Sequence, residues 1–275
     1  MSIVRYPGGS FSFGRRTYVM GVLNITPDSF SDGGDWMDPD RALRHARSMV
    51  REGADLIDVG GESTRPGARA VRAVEEIRRV VPVIEALAAE KILVSIDTSK
   101  AAVARASFRA GAKVLNDVTA LRGDRAMGRA AADAGVAAIL MHMKGTPRTM
   151  QRNPTYGNVV EEILEFFREI LRNAWSTGIE RDKLILDPGI GFGKLPEHNL
   201  EILRRLDEFR ALGRPLAIGT SRKSFIGRAL GRRVDDRVSG TAATVAAAIL
   251  RGADVVRVHD VREMSDVARM TDLLR

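Results

Sequence analysis

Cysteine is absent from the sequence, and histidine, aromatic residues and long apolar runs are scarce. Without cysteine the chain has neither a disulfide framework nor thiolate chemistry, which fits a reducing compartment. Its four histidines lack the paired spacing that holds zinc. No apolar run is long enough to span a bilayer, and the N-terminus lacks the basic-then-apolar pattern of a signal peptide. These absences predict a cytoplasmic protein without a membrane partner.

Positive charge is in excess but is not concentrated. The formal net charge is +8, and the arginines that carry most of it are spread over several predicted helices. A nucleic-acid-binding chain usually clusters such charge in one run or along one helix. We therefore predict solvated helix faces, no nucleic-acid partner and a mild preference for anionic small substrates.

Eight short apolar runs recur along the chain, with helical patterns between them. They cover residues 18–24, 55–61, 92–99, 113–119, 136–143, 184–189, 215–221 and 254–260. Such runs indicate parallel strands buried on both faces, and a closed β/α barrel has eight of them. We predict one α/β domain over residues 1–275, a (β/α)8 TIM barrel, with 1–17 as an N-terminal extension or hairpin closing the barrel bottom. A doubly wound open sheet is the alternative, because strand number alone does not close a barrel.

Each run ends in polar residues on its C-terminal side. These residues are Asn24; Glu62, Ser63, Thr64 and Arg65; Asp97; Asn116 and Asp117; His142; Asp187; Ser221, Arg222 and Lys223; and Arg257 and His259. Taken alone, Asp97 is explained as a helix cap and Asp187 as the start of a turn. Helix caps and turns alone do not explain why carboxylate, amide, hydroxyl, imidazole and cationic side chains all stand at the C-terminal ends of nearly all the strands. The pattern therefore predicts an active site at the C-terminal ends of the strands.

Two common motifs of catalysis are not matched. The segment GIGFGK (189–194) is similar to a phosphate-binding loop, but a Walker A motif would need glycine at 188 and serine or threonine at 195. The chain has Pro188 and Leu195, so we interpret the segment as a glycine turn that lets a ligand approach the backbone. No G-x-S-x-G elbow is present, and serine hydrolase chemistry has no support.

The groups expected near the barrel axis suit a flat nitrogen heterocycle. Asp97 and Asp187 can each accept two N–H donors, and Asn116 offers both a donor and an acceptor. Lys223 can donate to a ring carbonyl or nitrogen. Such a set would hold one edge of a heterocycle that carries N–H groups.

A phosphate site is predicted beside this heterocycle site. The loops after strands seven and eight form the usual phosphate corner of the barrel. Arg257 and His259 stand there, two positions apart on one strand and so on the same side. Asn24 can give an oxygen to Mg²⁺ carried by the phosphate, and we predict Mg²⁺ as the cofactor.

Eight segments in series resemble the dihydropteroate synthases of folate biosynthesis. They are GVLNITPDSFSDGG, IDVGGESTRPG, SIDTSK, NDV, MHMKGTP, DPGIGFGK, GTSRKSFIG and RVHDV. The resemblance runs from about residue 18 to the C-terminus. It implies a TIM barrel, a homodimer and a transferase that joins 6-hydroxymethyl-7,8-dihydropterin pyrophosphate to p-aminobenzoate. A site of this kind is also expected to accept sulfonamides.

The resemblance assigns residues to each ligand. It implies that the pterin lies among Asp97, Asn116, Met141, Asp187 and Lys223; the pyrophosphate on Thr64, Arg257, Val258 and His259; p-aminobenzoate among Phe30, Pro66, Phe192, Lys223 and Ser224; and Mg²⁺ on Asn24. The segments 24–34 and 60–69 are interpreted as lids, with Asp28, Phe30, Asp32, Ser63, Thr64 and Arg65 as lid residues.

The expected mechanism is a dissociative substitution. Its catalytic residues are Asp97, Asp187, Lys223, Arg257 and His259. Cationic groups would stabilise the departing pyrophosphate, and the pterin ring would spread the resulting positive charge until the amine attacks. A methyltetrahydrofolate-binding methyltransferase domain and a non-catalytic pterin-binding paralogue remain the alternatives.

Overall fold

A computed structural model describes residues 2–26, 39–63, 68, 70–146 and 149–275. The strands are β1 (Ser2–Tyr6), β2 (Gly9–Phe13), β3 (Tyr18–Asn24), β4 (Leu56–Gly60), β5 (Val94–Asp97), β6 (Val114–Asp117), β7 (Ala137–Met141), β8 (Leu184–Asp187), β9 (Ala217–Ile218) and β10 (Val255–Val258). The helices are α1 (Pro39–Arg51), α2 (Ala73–Ala89), α3 (Ala101–Ala110), α4 (Met127–Ala134), α5 (Val159–Ser176), α6 (Pro196–Arg204), α7 (Ser224–Leu230), α8 (Val238–Leu250) and α9 (Val261–Asp272). Short 3₁₀ helices cover Arg181–Lys183, Leu206–Leu212 and Val234–Asp236.

Strands β3 to β10 form a nearly closed parallel barrel. From β3 to β8 each strand pairs with the next one in the chain, β9 pairs with β10, and β10 returns to pair with β3. The remaining seam between β8 and β9 is spanned by a parallel bridge between Leu186 and Leu216, and the Leu186 amide donates to the Pro215 carbonyl at 2.9 Å. The predicted barrel is therefore confirmed, and the open sheet is excluded.

Alternation along the strands separates two apolar layers. On β10, Val256 and Val258 pack outward into the layer shared with the helices, whereas Val255 belongs to a smaller cluster inside the barrel. Because side chains alternate along a strand, Arg257 points inward with Val255. The same alternation aims polar residues near the strand ends into the barrel mouth.

The hairpin of β1 and β2 covers the N-terminal end of the barrel. Its buried residues Val4, Phe11 and Phe13 pack against residues at the beginnings of the barrel strands, such as Val114 and Val255. The site must therefore open at the opposite end, where the strands finish. Among the described helices, none is long and apolar enough to cross a membrane.

Candidate active site

A buried ion-pair network lies inside the C-terminal end of the barrel. Arg257 donates from Nε to Oδ2 of Asp58 at 2.6 Å and from an Nη to Oδ2 of Asp97 at 2.9 Å. The side-chain amide of Asn116 also donates to Oδ2 of Asp58, at 3.0 Å. These residues come from four strands, and Asp97 stands in register with Asn116. The barrel therefore brings the predicted Asp97, Asn116 and Arg257 together.

The network leaves two carboxylate oxygens unsatisfied. Oδ1 of Asp58 and Oδ1 of Asp97 are buried and have no hydrogen-bond partner within the described residues. An unsatisfied buried polar group costs roughly 1–3 kcal/mol, so a ligand with N–H donors would recover that energy here. Burial raises the pKa of Asp97 to about 7, and the Arg257 guanidinium opposes part of this rise.

Asp187 and Lys223 form the other polar side of the mouth. Asp187 accepts the backbone N–H of Gly189 at 2.7 Å. Burial raises the pKa of the Asp187 carboxyl, and the positive charge of Lys223 offsets part of this rise. The Lys223 ammonium donates to the Ile190 carbonyl and lies 4.7 Å from the centre of the Phe192 ring. Burial lowers the pKa of Lys223 to about 8, while Asp187 favours the charged form. This side offers an acceptor, a donor and an aromatic face.

The glycines of 189–193 allow this loop to lie against its neighbours. Gly189 has φ +71°, and a Cβ there would lie 1.9 Å from the His142 carbonyl oxygen. Gly191 has φ +82°, and its Cβ would lie 3.1 Å from Cδ of Lys223. Both positions combine left-handed backbone with close approach, and so require glycine. The segment is thus a glycine turn, as predicted, and it seats Phe192 beside Lys223. The groups that approach its backbone here are the His142 carbonyl and the Lys223 side chain, and the approach of a ligand stays a prediction.

Lys194 anchors the end of this turn in the protein interior. Its Nζ lies 2.9 Å from Nδ1 of His142 and donates to the Phe192 carbonyl at 3.0 Å. The His142 ring is buried and contacts Phe166 at a centroid distance of 4.8 Å. Burial and the charge of Lys194 lower the pKa of His142 to about 2. His142 therefore supports the loop as a neutral ring rather than facing a ligand.

Met141 belongs to an apolar cluster beside Phe192. It is buried with Val118, Met143 and Met150, and Phe192 packs against this group. Met141 stands in register with Asp187 on β8, which places the apolar cluster next to the polar side of the mouth. A flat ring held by Asp187 would have an apolar surface to pack on.

His259 and Ser221 meet at the ends of β10 and β9. Nδ1 of His259 lies 3.0 Å from Oγ of Ser221, and the His259 backbone N–H donates to the same oxygen at 3.1 Å. Arg257 lies two residues earlier but turns to the carboxylates of Asp58 and Asp97. The side chain of Val258 packs into the outer core, so a ligand contact at this position would come from its backbone.

Comparisons with known proteins agree on one family. A sequence model described as "Pterin binding enzyme" matches residues 20–259. A dihydropteroate synthase of Synechocystis is 47% identical over 251 residues, which are 90% of this chain and 87% of that protein. The chain belongs to the dihydropteroate synthase family. It is therefore a transferase of folate biosynthesis.

Solved structures from this family share the whole fold. The Yersinia pestis dihydropteroate synthase in a sulfonamide drug complex superposes with a TM-score of 0.94 at 44% identity, covering 99% of both chains. The Xanthomonas albilineans dihydropteroate synthase with 4-aminobenzoic acid gives a TM-score of 0.92 at 42% identity, covering 99% of this chain and 97% of that one. The pterin-binding family and the barrel are thus established together.

Asn24 ends β3 at the rim of the mouth. A Cβ on Gly60 would lie 3.5 Å from Oδ1 of Asn24 and 3.8 Å from Oδ2 of Asp97, so the amide oxygen lies near the network. Within the described ranges, no three His, Cys, Asp or Glu side chains gather as a metal cluster. The Asn24 amide oxygen would therefore suit a metal ion whose other ligands are water molecules and substrate oxygens.

The two segments interpreted as lids of this dihydropteroate synthase fold are described only in part. The predicted residues Asp28, Phe30, Asp32, Thr64, Arg65 and Pro66 lie outside the described residues. Ser63 lies within the second segment and is the last residue described before position 64. Its neighbour Glu62 accepts the Val71 backbone N–H at 3.0 Å. Ser224 is exposed as the first residue of α7, directly after Lys223.

Two residues of the site, Asp58 and Lys194, are not among those predicted from the sequence. Asp58 lies inside β4 and not at its end, so the pattern of polar strand ends does not include it. A charged residue in the apolar run DLIDVGG, at an inward-facing position, was the available signal. Lys194 was considered only as part of a phosphate-like loop, and its partner His142 is 52 residues away in sequence.

Proposed function

We propose that the chain joins 6-hydroxymethyl-7,8-dihydropterin pyrophosphate to p-aminobenzoate, releasing pyrophosphate and forming 7,8-dihydropteroate. The observation that carries this proposal is that Oδ1 of buried Asp97, beside the Arg257 guanidinium, has no hydrogen-bond partner in the part of the chain that the structure describes. One site thereby offers an acceptor for ring N–H groups next to a cation for an anionic tail. The names of the relatives and the 4-aminobenzoic acid complex of the Xanthomonas albilineans enzyme support the same pair of substrates.

The pterin is proposed to lie flat across the barrel mouth. Asp97 and Asn116 would bind one edge, and Asp187 would accept N–H donors from another. Lys223 would donate to a ring carbonyl or nitrogen, and Met141 would pack nearby. The two carboxylates also favour positive charge on the ring when the leaving group departs.

The pyrophosphate is proposed to leave along the β9–β10 side. As the C–O bond breaks, its electron pair stays on the pyrophosphate, and Arg257 and His259 stabilise that growing charge together with Thr64 and the Val258 backbone. The amine of p-aminobenzoate then forms the new C–N bond and releases a proton to solvent. The enzyme needs no covalent intermediate for these steps.

Asn24 is proposed to hold Mg²⁺ that arrives with the pyrophosphate. Mg²⁺ usually keeps several waters and takes only one or two protein ligands beside substrate phosphates. A single amide oxygen near Asp97 fits this requirement. When bound, the metal would neutralise charge on the leaving group.

The p-aminobenzoate pocket is proposed to use Phe192, Lys223 and Ser224. Phe192 supplies an aromatic wall, and the exposed Ser224 would meet the carboxylate. Phe30 and Pro66 would complete the pocket as the two lid segments close and keep water from the cationic pterin. Sulfonamides are expected to compete for this pocket.

We further propose that the chain is a cytoplasmic homodimer. Leu250, Met270 and Leu273 are large apolar residues more than half exposed on or beside α8 and α9, and such a surface supports pairing. The lack of cysteine fits a reducing compartment. Light scattering should give twice the chain mass of 30.0 kDa, and a monomer mass would contradict the dimer.

A pyrophosphate-release assay tests the proposed function. With pterin pyrophosphate and Mg²⁺ present, release should depend on p-aminobenzoate. No release with both substrates would favour a methyltransferase domain or a non-catalytic pterin-binding paralogue. If pterin still bound to the protein directly, one of these two alternatives would hold. If it did not bind, the chain would have no pterin site.

We expect kcat/KM to depend on pH in a bell shape. Asp97 must be ionised to accept ring N–H donors, so activity should rise as pH passes its pKa of about 7. Lys223 must be charged to donate, so activity should fall as pH passes its pKa of about 8. Steady-state kinetics with limiting pterin pyrophosphate report these free-enzyme groups. In Lys223→Arg the alkaline fall should move above about pH 10 even if activity is lower; an unchanged alkaline limb would remove Lys223 from this role.

Phe192→Ala should raise the KM for p-aminobenzoate and leave pterin pyrophosphate affinity nearly unchanged. Burying a Phe side chain is worth roughly 1.5–3 kcal/mol, which corresponds to about ten- to a hundredfold in KM. Both constants are measured by varying one substrate at saturation of the other. Phe166→Leu is the matched control: its ring contacts His142 at a centroid distance of 4.8 Å, and the substitution should change neither constant. Equal weakening of both substrates by Phe192→Ala would show a collapsed loop instead of a lost wall.

A further inference from the structure

Asp58 connects two residues of the pterin pyrophosphate site, Asn116 and Arg257. It lies on β4 and is fully buried. Its Oδ2 accepts from Nε of Arg257 at 2.6 Å and from Nδ2 of Asn116 at 3.0 Å. We propose that Asp58 is a positioning residue. It fixes which atoms of the Asn116 amide face the heterocycle, and it holds part of the Arg257 guanidinium away from the anionic tail of the substrate. This proposal rests on the proposed function.

The direction of the Asn116 amide follows from what Asp58 can accept. An oxygen that already receives a guanidinium N–H is an acceptor, so the nitrogen of Asn116 must face it. The second N–H and the carbonyl oxygen of Asn116 are then left for the ligand in one fixed order. With asparagine at position 58, a side-chain NH2 could donate to the Asn116 oxygen, and the amide could turn over. In a reversed amide, the Asn116 NH2 would face N–H donors of the heterocycle and its carbonyl oxygen would face ring acceptors, so neither hydrogen bond could form.

Asp58 favours binding of the heterocycle through Asn116, but its contact with Arg257 weakens binding of an anion. The guanidinium is shared between the carboxylates of Asp58 and Asp97. Removing the charge of Asp58 leaves one of these two partners and makes the mouth more positive by one unit. Arg257 would then be more available to pyrophosphate, and the local potential would favour the anion further. Asp58 thus improves heterocycle binding while it limits pyrophosphate binding, which would aid product release.

Asp58→Asn should change the two affinities in opposite directions. By calorimetry, the unphosphorylated pterin should bind about ten- to a hundredfold more weakly, because its edge meets mismatched partners. Inorganic pyrophosphate with Mg²⁺ should bind more tightly, by about two- to tenfold. A merely structural role for Asp58 would weaken both ligands together, and that result would overturn the proposal, as would two unchanged affinities.

Ser95→Ala is the matched control for disturbing the barrel interior. Ser95 is the register partner of Asp58 on β5, is fully buried, and its hydroxyl has no partner within the described residues. Both affinities should stay within about twofold of the wild type. Opposite changes in this control as well would show that any change at this layer has the effect, and would overturn the assignment to Asp58.

The wild-type chain gives a second measurement in case Asp58→Asn does not fold. In protein labelled with ¹⁵N-asparagine, the Asn116 side-chain amide is identified as the one whose resonances shift when pterin is added. Before pterin is added, one of its two hydrogens should exchange slowly with water, because Asp58 accepts it in a hydrogen bond. Two rapidly exchanging hydrogens would overturn the proposal. If the wild type binds no pterin, the proposed function fails and this role fails with it. If the wild type binds pterin but Asp58→Asn shows no opposite changes, only the role of Asp58 fails.

Discussion

Arg257→Ala is expected to weaken binding of pterin pyrophosphate by about a hundred- to a thousandfold. The substitution removes the charge that would meet the leaving group, and it leaves Asp58 and Asp97 facing an anionic substrate without their shared partner. Truncating one partner of a hydrogen-bonded charge pair at a binding interface typically costs about 2–5 kcal/mol of binding free energy. Binding of the unphosphorylated pterin should fall much less, since that ligand carries no anionic tail. Calorimetry with both ligands measures the difference.

Arg16→Ala is the control for the loss of an arginine–aspartate pair. Arg16 binds Asp55 through two hydrogen bonds of 2.9 and 2.7 Å, near the N-terminal end of the barrel strands. Its loss should leave both ligand affinities unchanged. If Arg257→Ala weakened the two pterin ligands equally, the guanidinium would act on the ring or the fold, and its assignment to the pyrophosphate would be wrong.

Asp187→Asn should weaken pterin binding at least about tenfold, and up to about a hundredfold. Asparagine can still accept the Gly189 N–H through its oxygen, so the turn is expected to persist. Its NH2 group would then face the ring donors and Lys223, where the native carboxylate accepts. The charge that favours the protonated form of Lys223 is also lost. The pterin dissociation constant of a variant with native circular dichroism measures the effect.

Asp254→Asn separates this binding role from a structural one. Asp254 is also a buried aspartate that accepts a backbone N–H, from Leu216 at 3.0 Å, but it precedes β10 at the other end of the barrel. This control should lower thermal stability with pterin binding intact. If Asp187→Asn behaved in the same way, Asp187 would be a turn residue, and the pterin site would have to be placed elsewhere.

The fold was predictable because its signals are local. Each barrel strand lies within an apolar run, and β9 is the shortest, at Ala217–Ile218 within the predicted 215–221. Closure of the barrel was not predictable from strand number, because it depends on the stagger that brings Leu186 beside Leu216. Polar strand ends such as Asp97 and Asp187 were found because all parallel strands finish at one face.

The connections among site residues could not be predicted in the same way. The pair of Arg257 with Asp58 joins residues 199 positions apart, and only the closed ring brings β10 and β4 close enough for contact across β3. The burial of Lys194 against His142 likewise depends on how the 189–194 turn lies on β7. Sequence position indicated which groups reach the mouth but not which of them are already paired. The assignments of Phe30 and of the other lid residues outside the described part of the chain stay predictions from the resemblance.

The central claim is that this chain condenses a pterin pyrophosphate with p-aminobenzoate. The most direct measurement follows pyrophosphate release and pteroate formation in one reaction, with the condensed product identified by mass spectrometry. We expect one 7,8-dihydropteroate for each pyrophosphate released, with neither product formed when p-aminobenzoate is omitted. Pyrophosphate release at an equal rate without p-aminobenzoate, or without the condensed product, would contradict it.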